Sequence, residues 1–337
     1  MDIKVAVVGA GSWGTTVAAL AAHNTPTMLW ARRAELAEQI DAEHRNGDYL
    51  PDYLLPEQLR ATADLEQAVR QADVLVMGVP SQGFRGALES VKEYLRPWVP
   101  VVSLAKGLEL GTKLRMSQII QDVLPGHPIG VLTGPNLAKE ILAGHGAASV
   151  IAMDDDNVAK ALQVIFATDL FRVYTNEDVI GCELGGVLKN VVAIASGMAD
   201  GLGAGDNTRA AVITRGLAEL SRLGVALGGN PLTFSGLAGM GDLVATCVSR
   251  QSRNRHVGEQ LGIGLTIEEI IAAMNMVAEG VKTSKVVIEL AEEHGVYMPI
   301  ASEVRAVCHE GRTARDAYAG LLRRETGREM QGLTARG

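Results

Sequence analysis

From Ile3 to about Thr175, short runs rich in Val, Ile and Leu recur at Ile3–Val8, Thr27–Trp30, Asp73–Val79, Pro100–Leu104, Ile129–Leu132, Ala147–Ala152 and Leu170–Tyr174. Longer stretches of helical character separate them. Short apolar runs bounded by turn residues predict buried strands, and their alternation with helices is how parallel βαβ units read in sequence. The expectation is an α/β domain over residues 1–180 with a doubly wound sheet. Beyond Glu177 the strand pattern stops. Apolar positions then follow helical spacing through Val187, Leu188, Val191, Val192, Ile194 and Ala195, and again through Ile267, Ile270, Ile271 and Met274. This predicts an all-helical C-terminal domain over 181–322, with Gly201–Gly205 and Gly236–Gly241 as loops. Residues 323–337 are polar and arginine-rich, and read as a flexible tail.

Composition narrows the function. A chain of 337 residues, 47% hydrophobic, has enough apolar surface for two cores. A net charge of −8 argues against a general nucleic-acid or anionic-membrane binder, so any anionic ligand must be met by local cations. Cys182, Cys247 and Cys308 are odd in number and far apart, unlike a disulfide framework, and point to the reducing cytoplasm. No apolar signal segment opens the chain and no apolar run reaches spanning length, so neither export nor membrane insertion is expected. The seven histidines show no paired metal spacing, and no metal is expected.

Gly9, Gly11 and Gly14 stand directly after the first strand and before the Ala-rich stretch Thr15–Ala22. In G-x-G-x-x-G the first glycine permits a tight turn, the second lets a phosphate approach the backbone, and the third lets helix pack close to strand. The helix N-terminus then meets the anion with free N–H groups. At the head of a βαβ series, this pattern predicts a Rossmann-type site for a nicotinamide dinucleotide. An acid about 20 residues on ordinarily holds the ribose 2′-hydroxyl. Here the second strand ends in Arg32 and Arg33, which leans the cofactor toward NADPH with NADH still usable; the alternative is that both arginines simply open a surface helix. Gly9–Gly14, Val79-Pro80, Lys106-Gly107 and Gly134-Pro135-Asn136 all follow predicted strands, where ligands of such sheets bind.

Two clusters in the second half carry chemistry. Lys189 has apolar neighbours Leu188, Val191 and Val192; burial disfavours an ammonium and suits the group to proton exchange with an alcohol or carbonyl. A snorkelling structural lysine fits the same pattern. Asp242, Thr246, Ser252, Arg253, Asn254 and Arg255 fall between Gly236 and Gly258, either as an anion cradle or as a basic surface loop. Asp242 would either orient Lys189 or receive a substrate hydroxyl.

The stretches GAGSWGT, SLAKGLE, LTGPNLAKE, ELGGVLKNVVAIASGMADGLGAGDNTRAAVITRGLAEL, GLAGMGDLVATC and SRQSRNRHVG resemble, in order and spacing, the bacterial NAD(P)-dependent glycerol-3-phosphate dehydrogenases, from the opening GAGSWGT to about Tyr318. The resemblance implies that Lys189 is the acid/base for the C2 oxygen, with Lys106, Asp242 and Thr246 in the same catalytic pocket. It implies substrate contacts from Lys106, Gly134, Asn136, Lys189, Asn190, Asp242, Ser252, Arg253 and Asn254. Cofactor contacts would come from Gly9, Gly11, Ser12, Trp13, Gly14, Arg32, Arg33, Lys106, Ala138, Arg253, Val277 and Glu279. One departure is that many members read GPSFA where this chain reads GPNLA, so Asn136 replaces a serine while keeping hydrogen-bonding capacity.

The implied activity is reversible reduction of dihydroxyacetone phosphate to sn-glycerol 3-phosphate, which supplies phospholipid synthesis. The alternatives weighed against it are a β-hydroxyacid dehydrogenase of related fold and a non-catalytic dinucleotide sensor. The expected partner is a small phosphorylated ketone or alcohol, and the default assembly is a homodimer.

Overall fold

The computed structural model describes residues 3–274 and 278–323. Val277, expected at the cofactor, and nearly all of the expected tail lie outside the described residues. The chain divides into two compact units, Met1–Val179 and Ile180–Gly337.

In the first unit, β1 (Val5–Val8), α1 (Ser12–Ala22), β2 (Thr27–Trp30), α2 (Ala34–Glu43), β3 (Leu59–Thr62), α3 (Leu65–Val69) and β4 (Val74–Met77) come first. They are followed by α4 (Phe84–Lys92), β5 (Val101–Ser103), α5 (Met116–Val123) and β6 (Ile129–Thr133). The unit closes with α6 (Ala138–Leu142), β7 (Ala147–Met153), α7 (Asp156–Phe166) and β8 (Phe171–Asn176). The eight strands form one sheet in the order β3-β2-β1-β4-β5-β6-β7-β8. Alternation along β1 sends Val5 and Val7 into one core with α1, α2 and α7. Ala6 and Val8 enter a second core with α3, α4 and α5. Helices on both faces make the sheet doubly wound, and strands buried on both faces are apolar throughout, as β1 and β4 are.

Two details depart from the sequence expectation. The edge strand β3 was not predicted, because Leu59 is its one buried residue and an edge strand needs no apolar run. The last two strands also reverse: β6 and β7 pair antiparallel, whereas β7 and β8 are parallel to each other. Between β6 and β7 the helix α6 has only five residues, too short to carry the chain back along the sheet for another parallel strand. The glycine loop, Val79-Pro80, Lys106-Gly107 and Gly134–Asn136 follow β1, β4, β5 and β6. These four are contiguous in the sheet and pair parallel, so all four segments leave from one edge of it.

The second unit contains α8 (Val179–Gly201), α9 (Asp206–Ala226), α10 (Pro231–Phe234), a π-helical turn at Leu237–Gly241 and α11 (Asp242–Val248). It continues with α12 (Arg253–Gly262), α13 (Ile267–Ala273), α14 (Glu279–Glu293), α15 (Pro299–His309) and α16 (Ala314–Leu322). By length and composition α8 could cross a membrane, but 94% of its apolar window is buried in the folded chain, as expected of a helix apolar all round. Glycines on α8 and on α12 let these two helices approach backbone to backbone. A Cβ on Gly197 would lie 2.0 Å from Arg255 O, one on Gly201 2.2 Å from Glu259 O, and one on Gly258 2.0 Å from Ile194 O. The α8–α12 crossing is therefore fixed by missing side chains.

Candidate active site

β1 leads into Gly9, whose φ of +117° is rarely adopted by L side chains and whose Cβ would lie 2.7 Å from Gly78 O. A Cβ on Gly14 would lie 2.1 Å from Gly9 O. Gly11 differs. It has ordinary extended geometry, and a Cβ there would meet nothing within 4 Å. Packing within the chain thus requires glycine at 9 and 14, whereas bare backbone facing open space at 11 fits a phosphate drawn close. The Thr15 N–H donates to Gly11 O (2.9 Å). The earlier amides of Ser12, Trp13 and Gly14 remain for an anion at the helix N-terminus. The Trp13 ring packs against Phe171, with centroids 6.4 Å apart, and its indole Nε1 is buried with no hydrogen-bond partner. Gly78, at the end of β4, was missed in the sequence because its role is to leave room for Gly9 and Gly14.

β2 ends beside this loop, where Gly9 N–H donates to Trp30 O (3.1 Å). Arg32 is exposed, and among the described residues no hydrogen bond or ion pair holds it. Arg33 is exposed too, but pairs with Asp48. Of the two arginines expected at a 2′-phosphate, one is committed within the chain.

At the ends of β5 and β6, Lys106 Nζ donates to Gly134 O (2.9 Å), and Gly134 takes φ +141° against the backbone of Ser149. Asn136 Nδ2 donates to Ser149 Oγ (3.1 Å), which donates on to Thr133 O (2.8 Å). Asn136 Oδ1 is buried with no hydrogen-bond partner. A buried acceptor without a donor is costly, and this one suits a ligand hydroxyl. Ala138 opens α6.

In the helical unit Lys189 is only 6% exposed and Asp242 1%. Lys189 Nζ donates to Asp242 Oδ1 and to Thr246 Oγ1 (2.7 Å). Thr246 Oγ1 also lies 2.6 Å from Asp242 O, one turn back. The π-helical turn ends where Asp242 begins α11, and Gly185 of α8 meets it so closely that a Cβ would lie 2.4 Å from Ala238 O. Lys189 is therefore a buried, paired cation rather than a snorkelling one. Burial disfavours its ammonium while the carboxylate and hydroxyl favour it. In the same core burial pushes the Cys247 thiol up to about 12, with the Lys189 charge opposing. All three cysteines are free and buried.

Ser252 caps α12, its Oγ accepting from Arg255 N–H (3.2 Å). Asn254 spends its amide inside the unit: Nδ2 donates to Asn190 Oδ1 (2.9 Å), and Oδ1 accepts from Gly280 N–H (2.9 Å). Asn190 and Asn254 therefore join α8, α12 and α14, and a Cβ on Gly280 would lie 2.7 Å from Asn190 O. Arg255, grouped with the anion cradle in the sequence, is committed elsewhere. Its fork grips Asp200 (Nε 2.9 Å, Nη2 2.7 Å), which also receives Arg209 (Nε 2.9 Å). Neither Asp200 nor Gly280 was singled out in the sequence, since each acts through partners distant in the chain. Arg253 has no hydrogen bond or ion pair among the described residues. Although the residue is exposed overall, surrounding protein crowds its guanidinium and pulls it below the usual arginine range, while Glu279 at the start of α14 pushes the other way. An arginine stays cationic through such a shift. Among the described residues no group of His, Cys, Asp and Glu is placed to hold a metal.

The family described as NAD-dependent glycerol-3-phosphate dehydrogenase N-terminus matches residues 4–159, and its C-terminus counterpart matches residues 178–319. A glycerol-3-phosphate dehydrogenase [NAD(P)+] from Sphingopyxis alaskensis is 60% identical over 329 residues, covering 98% of this chain and 99% of the relative. One from Mycobacterium avium is 57% identical over 330 residues, covering 98% and 97%. The crystal structure of glycerol-3-phosphate dehydrogenase from Coxiella burnetii superposes with a TM-score of 0.91 at 37% identity, covering 96% of this chain and 99% of that one. With both halves matched in order and the glycine loop and buried lysine in place, the chain belongs to the NAD-dependent glycerol-3-phosphate dehydrogenase family and is an NAD(P)-dependent oxidoreductase.

Proposed function

We propose that the chain reduces dihydroxyacetone phosphate reversibly to sn-glycerol 3-phosphate with NADPH or NADH, supplying the backbone of glycerophospholipids. The observation that carries the reading is the buried Lys189–Asp242–Thr246 cluster, joined through Asn190 and Asn254 to a helix start carrying Arg253, which is uncommitted among the described residues. When bound, the nicotinamide supplies hydride to C2, and the carbonyl electron pair moves onto oxygen. Lys189 holds the proton at Nζ and gives it to that oxygen. Asp242 and Thr246 fix Nζ in place, and the carboxylate keeps the proton on nitrogen until negative charge develops on the substrate. In the reverse direction Nζ takes the hydroxyl proton.

Arg253, with the hydroxyl of Ser252 and the amides opening α12, binds the substrate phosphate; a guanidinium fork suits it. Binding energy from that remote group orients C2. Asn254 and Asn190 are assigned to holding this arrangement, and Glu279 to setting the charge around Arg253. In the N-terminal unit the amides from Gly9 to Gly14 hold the pyrophosphate, and Ala138 belongs to the cofactor-contacting set. We assign Lys106, Gly134 and Asn136 to substrate binding, with Asn136 Oδ1 accepting from a hydroxyl. The reading includes a cytoplasmic homodimer, in keeping with three unpaired buried cysteines and testable by light scattering.

The test is nicotinamide absorbance in purified protein. Loss of reduced cofactor on adding dihydroxyacetone phosphate is expected, with dihydroxyacetone itself turned over poorly. No phosphate-ketone-dependent oxidation with either cofactor would remove the assignment. Equal turnover of the two ketones would remove the role of Arg253.

A further inference from the structure

The acid expected near the end of the second strand of a dinucleotide fold is missing from β2, which runs out into Arg32 and Arg33. An acid nevertheless reaches this position from another segment. α2 stops at His44, which takes φ 51°, and a short turn closed by pairing of Asn46 with Leu50 follows. Asn46 is fully buried. Its Nδ2 donates to Ala10 O (2.9 Å), inside the glycine loop, and to Thr15 Oγ1 (2.8 Å) on α1. Its Oδ1 accepts from Tyr49 N–H (3.2 Å). The turn is thus pinned to the phosphate loop by a side chain whose amide is spent on it. Two residues on, Asp48 is exposed and its carboxylate pairs with Arg33. Among the described residues Arg32 is left uncommitted.

We propose that Asp48 is the specificity-determining acid of the adenosine ribose, delivered by the turn after α2 instead of by β2, with Asn46 as its positioning residue. A 2′-hydroxyl donates to the Asp48 carboxylate, with Arg33 keeping that carboxylate in place. A 2′-phosphate is taken by Arg32 and Arg33 and is repelled by Asp48. One turn therefore admits both nucleotides by setting one acid against two bases. This inference rests on the reading that Gly9–Gly14 hold NAD(P).

The experiment is calorimetric titration of the full chain with NAD+ and NADP+, without substrate, on wild type, Asp48→Asn, Arg33→Ala and the double variant. Asp48→Asn keeps size and removes the charge at an exposed site, and an unchanged melting temperature checks its fold. Expected is about tenfold weaker NAD+ binding, the scale of one hydrogen bond to a charged group. NADP+ binding should be unchanged or tighter, and NAD+ should still weaken when Asp48→Asn is made in the Arg33→Ala background. A ratio of the two affinities within twofold of wild type in Asp48→Asn, while Arg33→Ala moves it, overturns the inference and leaves the cofactor reading standing. Disappearance of the NAD+ effect in the double variant shows Asp48 acting only by tying Arg33, and overturns it too. If wild type binds neither nucleotide, the cofactor reading fails and the inference falls with it.

Discussion

The phosphate loop of the N-terminal unit presents backbone amides at the start of α1, and Gly9, Gly11 and Gly14 that shape it are close neighbours in sequence. The Lys189 cluster of the helical unit is made of buried side chains, and Lys189 meets Asp242 and Thr246 from 53 and 57 positions away. Glycine serves both units differently. Around the phosphate loop its absence of a side chain leaves room partly for the chain and, at Gly11, for a ligand. Along α8 it lets neighbouring helices approach so that polar side chains meet. A backbone site tolerates loss of affinity without loss of fold, whereas a site made from a buried ion pair couples chemistry to stability.

The largest effect should come from Lys189→Met. Turnover is expected to fall by about 10²–10⁴, the usual contribution of a positioned acid/base, while NADP+ affinity stays within a few-fold. The same change strands the buried Asp242, costing about 3–5 kcal/mol in denaturant unfolding. Adding Asp242→Asn should recover much of that stability without recovering turnover. A lone Lys189 variant as stable as wild type would break the coupling of chemistry to fold.

Next in size, Arg253→Ala should raise KM for dihydroxyacetone phosphate by one to two orders of magnitude, about 1.5–3 kcal/mol for a charge-assisted contact, with little change in melting temperature. An unchanged KM would take Arg253 out of the site. Gly258→Ala, which drives a Cβ into Ile194 O, should cost about 1–3 kcal/mol of stability as an overpacked contact.

Gly11→Ala sharpens the comparison from the other side. It should unfold like wild type because its Cβ meets nothing, yet bind NADP+ about tenfold more weakly, the loss of roughly one charged hydrogen bond. The smallest expected effect is at Cys247. With its thiol pushed up to about 12 by burial, it stays protonated at pH 8 and should resist alkylation in the native protein, reacting only on unfolding.

The two units were unequally legible. Most strands of the first were readable from apolar runs, and the glycine loop from its spacing, because both are local patterns. The edge strand β3 and the reversal at β7 were not, since pairing partner and direction are settled by how much connecting chain is available. In the second unit the periodicity announced helices and Lys189 stood out among apolar neighbours, but nothing near it in sequence marks Asp200 as the anchor of Arg255, or Gly280 as the seat of Asn254. The basic run Arg253-Asn254-Arg255 reads as one cradle. Folding divides it among a cation with no partner among the described residues, a bridge between three helices and a half-buried ion pair.

The sequence by itself determined a glycine loop after β1 of the kind that takes a dinucleotide, a helical half behind it, and, through long ordered resemblance, the family to which the chain belongs. The first two rest on residues within one turn or one helix of each other, and the third on motifs whose order along the chain is itself a sequence property. Tertiary structure alone decided which charges are spent: Lys189 on Asp242, Arg255 on Asp200 and Arg33 on Asp48, with Arg32 and Arg253 uncommitted among the described residues. Ion pairs and backbone contacts join residues by distance in space, and a linear pattern carries no record of that distance until the chain has folded.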